Sequence, residues 1–253
     1  MAAETRRLSI VGIGAHLDDC YLGMGGVAIK AARLGHRVAL VQAVSQYGAW
    51  PTVSGRSEEI KLLLSELAAR AGVFVVALGH DYMRLENGAT LVSELSRVLH
   101  GLGPDLLFCQ HTVDTNQDHV ALGQATVTAA LHGACFVGRD FVVPREIYRY
   151  TTGAQTLGFA PDTYVDISEE LPEVLEITAA VDRMYAGGGM RIEERLILSG
   201  SDLGGRTVNV TTHGMDKLAS SILYGMRSGA RYAEGFAAYP HRRAGACLLD
   251  LLS

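Results

Sequence analysis

Apolar runs rich in β-branched residues alternate along the chain with longer segments whose apolar positions recur at helical spacing. The first run, Leu8 to Ala15, is apolar almost throughout, which is typical of a strand covered on both faces. Strands are predicted at 8–15, 37–44, 73–78, 105–109 and 146–151, and helices at 27–34, 57–71, 90–100 and 120–131. This alternation predicts an α/β fold, a Rossmann-like, doubly wound, mostly parallel sheet with helices on both faces.

Glycine and proline mark the places where this pattern changes. The segment Gly23 to Gly26 is predicted as a turn that leads into the first helix. From about residue 152 the pattern is less regular, with helices predicted near 172–185 and 216–225. Between them, Gly187 to Thr212 is predicted as either a mobile flap or a surface excursion. No linker is evident, so residues 1–253 are predicted as a single domain.

Composition narrows the classes of protein. Hydrophobic residues make up 48% and charged residues 19%, which excludes a disordered chain and a coiled coil. A net charge of -5 provides no basic field, so a nucleic-acid partner is not expected. The apolar stretch near the N-terminus is too short for a signal peptide or a membrane span, which predicts a cytoplasmic protein. The four cysteines lie far apart and are predicted to be reduced and mostly buried.

Chemistry-bearing side chains follow the first predicted strand directly, at His16, Asp18 and Asp19. Open α/β sheets bind ligands at the carboxyl ends of their strands. An imidazole and two carboxylates can supply metal ligands and a proton acceptor, which zinc hydrolases require. The alternative is that an aspartate caps the next helix and the histidine has no special role.

A dinucleotide-binding loop is a second alternative for this segment. Gly12 and Gly14 match the start of a G-x-G-x-x-G motif, but the third glycine would fall at Leu17. The second strand also ends without the acidic residue that binds the ribose. The sequence therefore disfavours a dinucleotide site.

A second polar segment, His111 to His119, follows the fourth predicted strand. Strand ends distant in sequence can converge on one crevice of a parallel sheet. His119 could then join His16 and Asp19 in a set of two nitrogens and one carboxylate, open to water. The alternative is that Asp114 or Asn116 caps the following helix and His119 only packs on it.

These two segments together resemble the PIG-L/LmbE-like superfamily of de-N-acetylases, which act on N-acetylglucosamine conjugates and related amides. Residues 15–26, AHLDDCYLGMGG, are similar to the family motif A-H-P-D-D-E-x-x-G-x-G-G, and residues 116–119, NQDH, are similar to H-x-D-H. Residues 56–59, RSEE, and 232–236, YAEGF, resemble further family segments. The resemblance spans roughly residues 8–236.

The resemblance implies a role for each matching residue. His16, Asp19 and His119 are implied as ligands of zinc, with ferrous iron as the alternative metal, and Asp18 as the general base. Arg56 is implied near the bound substrate, unless it is an exposed charge at a helix start. Asp118 is expected to orient His119 or Asn116, or else to be an ordinary acidic residue at a helix N-terminus.

Departures from the family pattern leave the substrate class open. Asn116 stands where family members often carry a histidine. It is expected to help stabilise the oxyanion, although an amide cannot deliver a proton, so proton return is expected from Asp18. The family's late His-x-Ser-Gln segment is absent, with Met184 to Gly187 in its place. His213 could substitute in the pocket or be a solvated loop residue.

The resemblance thus predicts a zinc-dependent hydrolase that removes an N-acyl group, in the first instance acetyl, from a small amino-sugar conjugate. The alternatives are an amidase on a non-sugar or thiol-conjugate amide and a catalytically weak metal-binding member of the family. The sequence leaves open the sugar, the pathway, antibiotic biosynthesis included, and whether the chain forms a homo-oligomer.

Overall fold

The computed structural model describes residues 7–153, 156–186, 196–199 and 207–240 together with Leu252. The strands are β1 (Ser9–Gly14), β2 (Arg37–Gln46), β3 (Phe74–Asp81), β4 (Leu106–Gln110), β5 (Glu146–Tyr150), β6 (Thr163–Asp166), β7 (Leu196–Ser199), β8 (Thr207–Val210) and β9 (Ala233–Ala238). The helices are α1 (Asp19–Arg33), α2 (Ser57–Ala71), α3 (Ala89–Leu102), α4 (Gln117–His132), α5 (Ala134–Val137), α6 (Leu171–Ala186) and α7 (Thr212–Ser228).

Seven of these strands form one sheet in the order β3-β2-β1-β4-β5-β9-β6. The first five strands in this order run parallel, whereas β9 pairs antiparallel with both β5 and β6. The prediction of a mostly parallel α/β fold is therefore confirmed. Sequence patterning did not predict the antiparallel edge, because β6 and β9 are only four and six residues long.

The core follows from the apolar strands. Ile10, Val11 and Ile13 of β1 have no exposed surface, as expected for a strand covered on both faces. The helices pack in two groups: α1 contacts α2, α6 and α7, and α3 contacts α4 and α5. These layers hold the carboxyl ends of β1 and β4 in fixed positions, and the loops that follow both strands carry the candidate site.

The glycine cluster after β1 does not form the predicted turn. It lies inside α1, which begins at Asp19 and has non-helical backbone angles only at Met24 (φ -144°, ψ 21°). A Cβ atom on Gly23 would lie 2.0 Å from the Tyr150 ring, and one on Gly26 would lie 2.5 Å from Ile167. These glycines are required because neighbouring side chains approach the helix closely, which local sequence patterns do not reveal.

A buried ion pair supports α1 where it kinks at Met24. The carboxylate of Glu234, in β9, accepts hydrogen bonds from the backbone N–H groups of Gly26 and Val27, each at 2.8 Å. Lys217 of α7 pairs with Glu234 and donates to the carbonyl oxygen of Leu22 at 2.9 Å. The pair thus satisfies backbone groups on both sides of the kink.

Other expectations had mixed outcomes. Helix α7 begins at Thr212, earlier than predicted, so His213 lies in a helix and not in a loop. Of the predicted flap, 187–195 and 200–206 lie outside the described residues, and β7 and β8 pair antiparallel. Cys20 and Cys109 are buried free thiols as predicted, Cys135 is exposed, and Cys247 is outside the described residues. No helix in the described part of the chain is long and apolar enough to cross a membrane.

Candidate functional site

A cavity of about 310 Å³ lies at the position where the strand order of the sheet reverses. Strands β1 and β4 are neighbours there, and open α/β sheets bind ligands beyond the carboxyl ends of such strands. The segment after β1 contributes His16, Asp18 and Asp19 to the cavity wall, and the segment after β4 contributes Asn116 and His119. The two segments singled out in the sequence therefore converge.

Three of these side chains, His16, Asp19 and His119, form what we call the ligand triangle. Nδ1 of His16 lies 3.1 Å from Nε2 of His119. Oδ2 of Asp19 lies 3.4 Å from the His16 nitrogen, and Oδ1 of Asp19 lies 3.4 Å from the His119 nitrogen. All three residues are buried. Ligands about 2.0–2.1 Å from a tetrahedral ion stand about 3.3 Å apart, so the triangle has the dimensions of a divalent-metal site.

Each histidine of the triangle meets a second carboxylate at its other ring nitrogen. Nε2 of His16 is hydrogen-bonded to Asp118 at 3.1 Å, and Nδ1 of His119 lies 3.2 Å from Asp114. Such carboxylates fix the tautomer and orientation of metal-binding histidines. Asp118 was expected to orient His119 or Asn116, but its carboxylate is hydrogen-bonded to His16 instead. Asp114, which the sequence suggested only as a helix cap, is the carboxylate beside His119.

The electrostatics of the triangle favour a bound cation. Burial lowers the pKa of His16, but Asp19 and Asp118 outweigh this effect and raise it to about 9. Burial likewise opposes the shift at His119, whose pKa Asp19 and Asp114 raise to about 10. Burial raises the pKa of the Asp19 carboxyl, but His119 and His16 outweigh this effect and hold that pKa well below its usual range. The carboxylates thus stabilise positive charge on the two histidines, and a bound divalent ion can supply that charge in place of their protons.

Asp18 lines the cavity beside the triangle but is not part of it. Its Oδ1 accepts a hydrogen bond from the Tyr185 hydroxyl at 3.0 Å, and its Oδ2 lies 3.8 Å from Nε2 of His213. Burial, followed by the charge of Asp18, raises the pKa of Tyr185 well above its ordinary value, so that hydroxyl remains a donor. Asp18 is thus held in a fixed orientation, with one oxygen beside His213.

Asn116 has both a structural role and a place in the cavity wall. Its Oδ1 accepts from the backbone N–H of Asp118 at 2.9 Å and caps α4. The side-chain oxygen is therefore occupied by this helix-capping bond, and the amide NH2 group is the donor that a ligand can use. The helix-cap alternative is confirmed for Asn116, and it does not exclude an oxyanion contact.

Helices α6 and α7 form one side of the cavity, and the sequence did not predict the contacts of their side chains there. His213 lines the cavity, and its Nδ1 contacts Asp182, a buried carboxylate of α6. Tyr185, which binds Asp18, follows Asp182 by three residues and so lies on the same helix face. One signal was present in the sequence: an acidic residue on an otherwise apolar helix face is seldom buried without a partner.

An aromatic wall completes the cavity at Trp50, Tyr82 and Tyr185. The Trp50 ring stacks on Tyr82 with centroids 5.3 Å apart and lies 4.8 Å from the ring of Tyr185. The cavity therefore has a charged floor and one apolar side, a combination typical of sites for small polar molecules.

Arg56 lies outside the residues that line the cavity. Its guanidinium donates to the carbonyl oxygen of Met184 at 2.7 Å and pairs with Glu59. These bonds join the start of α2 to the end of α6. In this structure Arg56 therefore makes a structural link, and its position near a bound substrate stays a prediction.

The fold and the ligand triangle define a mostly parallel α/β protein with a candidate metal centre at its switch point. Residues 11–130 match the family model described as PIG-L, GlcNAc-PI de-N-acetylase. This match confirms, over residues 11–130, the resemblance to the PIG-L/LmbE-like superfamily that the motifs predicted. The chain is also 24% identical over 176 residues to an Escherichia coli K12 protein named uncharacterized deacetylase YaiS, which covers 67% of this chain and 88% of that protein.

Solved structures with this fold include enzymes of different types. An N,N'-diacetylchitobiose deacetylase from Pyrococcus horikoshii, complexed with its inhibitor, superposes with a TM-score of 0.69 at 20% identity over 91% of this chain and 83% of that one. GalB, the 4-carboxy-2-hydroxymuconate hydratase of Pseudomonas putida KT2440, gives 0.68 at 14% identity over 96% and 100%. At such identities these likenesses bear on the fold alone.

Proposed function

We propose that this protein is a divalent-metal-dependent hydrolase that removes an acetyl group from the nitrogen of an amino-sugar-containing small molecule. The observation that carries the proposal is the ligand triangle with Asp18 beside it in one cavity. Two nitrogens and one carboxylate bind an ion while leaving coordination positions for water and substrate. Metal-assisted hydrolysis also requires a base beside the ion, and a carboxylate that is not itself a metal ligand can act as that base.

His16, Asp19 and His119 would hold the ion, with zinc or ferrous iron suited to this ligand set. When bound, the ion polarises the acyl carbonyl and lowers the pKa of water towards about 7. Asp18 removes the proton from the attacking water, with Tyr185 fixing the position of its carboxylate. The NH2 group of Asn116 donates to the oxyanion that forms on the acyl carbon.

The cavity wall supports a sugar as the substrate class. Trp50 and Tyr82 offer flat apolar surfaces on which a pyranose ring can lie, while Asp216 and Thr152 offer hydrogen-bonding groups on the lining. The matching family model is described as a GlcNAc-PI de-N-acetylase, and one structural neighbour is an N,N'-diacetylchitobiose deacetylase. Both descriptions name N-acetylated amino sugars as substrates. An N-acetylglucosamine conjugate is therefore the first substrate to test.

The test is the release of primary amine from a panel of N-acetylated amino sugars, including N-acetylglucosamine and N,N'-diacetylchitobiose. Purified protein is compared after reconstitution with zinc or ferrous iron and after chelation. We expect release only with metal. In Asp18→Asn, kcat should fall by about 100-fold to 10,000-fold, the contribution of a general base, while the bound metal per protein stays equal to that of wild type.

The exposed Asp140 provides a control, because Asp140→Asn removes the same charge at a residue that does not line the cavity. It should leave amine release unchanged. Full metal loading with no amine release from any sugar would contradict the amino-sugar proposal. Repeating the assay with N-acetyl thiol conjugates and N-acetyl amino acids would then show whether the chain hydrolyses a different amide.

A further inference from the structure

His213 lines the same cavity as the ligand triangle. It is the second residue of α7, and its Nε2 lies 3.8 Å from Oδ2 of Asp18, the proposed base. The side chain is 29% exposed, so it borders the space that a substrate would fill. His213 is not a member of the ligand triangle. The hydrolysis proposed above does not use it.

Asp182 fixes the orientation of this imidazole. One carboxylate oxygen of Asp182 pairs with Nδ1 of His213, and the other accepts from the His213 backbone N–H at 3.1 Å. Asp182 is 2% exposed. A buried carboxylate on Nδ1 fixes a proton there and leaves Nε2 as the ring nitrogen directed at the cavity. The Tyr185 ring meets the imidazole edge to face with centroids 6.0 Å apart.

The charges around His213 keep it protonated near neutral pH. Burial lowers its pKa, but Asp182, Asp18 and Asp216 together raise it to about 9. These carboxylates come from α6, the segment after β1 and α7. Among the described residues, the ring of Tyr185, whose hydroxyl is neutral, also packs against the imidazole. The Nε2–H is therefore an available proton at the pH at which Asp18 is to act as a base.

Other described groups in the cavity wall are poorer proton donors. Asn116 has an amide that does not give up a proton. The Tyr185 hydroxyl is already donated to Asp18, and its pKa lies well above the ordinary value because it is buried beside that carboxylate. His16 and His119 face each other in the ligand triangle. Outside the triangle, His213 is the described cavity-lining side chain best suited to donate a proton.

We propose that His213 is the general acid that protonates the leaving amine nitrogen, with Asp182 as its positioning residue. The proposal rests on the proposed deacetylase function and replaces the expectation that Asp18 itself returns the proton. It assigns the two proton transfers to two different side chains of the cavity wall. Asp18 accepts the proton of the attacking water, and His213 donates to nitrogen.

The protons balance over one turnover. Water loses a proton to Asp18 as its oxygen bonds to the acyl carbon. The C–N bond then breaks, its electron pair remains on nitrogen, and Nε2 of His213 transfers its proton to that nitrogen, which gives acetic acid and the free amine. The protonated Asp18 then releases its proton to solvent and Nε2 of His213 takes up one from solvent, so both groups return to their starting states. Neither an oxidant nor a further reactant is required.

The test compares amide and ester substrates. Cleavage of an amide needs protonation of nitrogen, whereas 4-nitrophenyl acetate releases a stable phenolate without it. In metal-loaded His213→Gln we expect kcat for the best N-acetyl amino sugar of the panel to fall by about 100-fold or more. The ester rate should fall by less than about 10-fold. His132→Gln, at an exposed histidine, is the matched control and should leave both rates unchanged.

A second measurement tests Asp182 without relying on activity. Nitrogen NMR of the His213 imidazole should show titration near pH 9 in wild type and at lower pH in Asp182→Asn, because the carboxylate that stabilises the imidazolium is gone. The alkaline limb of the kcat profile should move to lower pH in that variant. Bound metal should be the same in both proteins.

Two results would overturn the proposal while leaving the deacetylase function intact, provided that the wild type is active. In the first, His213→Gln loses amide and ester activity equally. In the second, His213→Gln keeps its amide activity. An unshifted His213 titration in Asp182→Asn would remove Asp182 as the positioning residue. If metal-loaded wild type cleaves no amide, the deacetylase function itself is contradicted, and the role of His213 with it.

Discussion

At the scale of single residues, the site consists of histidines whose two ring nitrogens have different partners. His16 faces His119 through Nδ1 and Asp118 through Nε2, and His119 faces the triangle through Nε2 and Asp114 through Nδ1. This opposite use of nitrogens is set by where the second carboxylate lies. Asp118 is further anchored by the backbone N–H groups of Met83 and Leu85.

Asp118→Asn should weaken metal binding by about 10-fold to 100-fold, the usual effect of removing a carboxylate partner from a metal-binding histidine. The amide retains one acceptor oxygen but loses the charge that stabilises the proton on His16. Competition with a chromophoric chelator measures the affinity. Asp140→Asn removes a charge at an exposed position and should bind metal like wild type. Equal affinity in both variants would show that Asp118 does not support the ligand.

At the scale of elements, the kink of α1 is stabilised from a distant part of the chain. The glycines allow close approach, and the buried Lys217–Glu234 pair from α7 and β9 satisfies backbone groups on both sides of Met24. Asp19 is the first residue of this helix and a member of the ligand triangle. The C-terminal part of the chain therefore supports the element that carries the site.

Lys217→Met should lower the free energy of unfolding by about 3–5 kcal/mol, because it leaves Glu234 charged, buried and without its cation. The matched control is Lys61→Met, which breaks an exposed pair with Glu58 and should cost about 0–1 kcal/mol. Denaturant unfolding measures both. The double variant Lys217→Met with Glu234→Gln should be more stable than Lys217→Met alone. A similar loss in the two single variants would contradict a special role for the buried pair.

At the scale of the whole molecule, the ligand triangle joins segments that are far apart in sequence. His16 and Asp19 follow β1, His119 lies in α4, and Asp118 ties the same cluster to the segment after β3. A ligand that binds only the folded chain stabilises it in proportion to RT ln(1 + [L]/Kd). Metal binding is thereby coupled to the stability of the central sheet.

Metal should raise the free energy of unfolding by about 2.7 kcal/mol when free metal is about 100 times its dissociation constant. Chelation should remove this gain and lower the unfolding temperature in scanning calorimetry. His119→Ala provides the control, since a chain without a complete triangle should respond little to chelator. An unfolding temperature in wild type that is independent of metal would contradict a metal site in this cluster.

Much of this architecture is local and was therefore predictable from the sequence. The alternation of strand and helix patterns predicted β1 to β5 and α2 to α4 within a few residues, because burial imposes the periodicity on each element separately. The two motifs identified His16, Asp18, Asp19, Asn116 and His119 as neighbours, because parallel strands end on one edge of the sheet. Their catalytic and metal-binding roles stay predictions.

Tertiary structure alone decided which partner each group meets. Local pattern could not show that the glycines of α1 pack against Tyr150 and Ile167, that Asp118 bonds to His16, or that Arg56 is bound to the end of α6. It also could not bring His213 and Asp182 to face Asp18. The hydrogen bonds among these contacts join residues 31, 102 and 128 positions apart. Sequence patterning records burial and periodicity, whereas the partner of a charged side chain depends on how the completed layers pack.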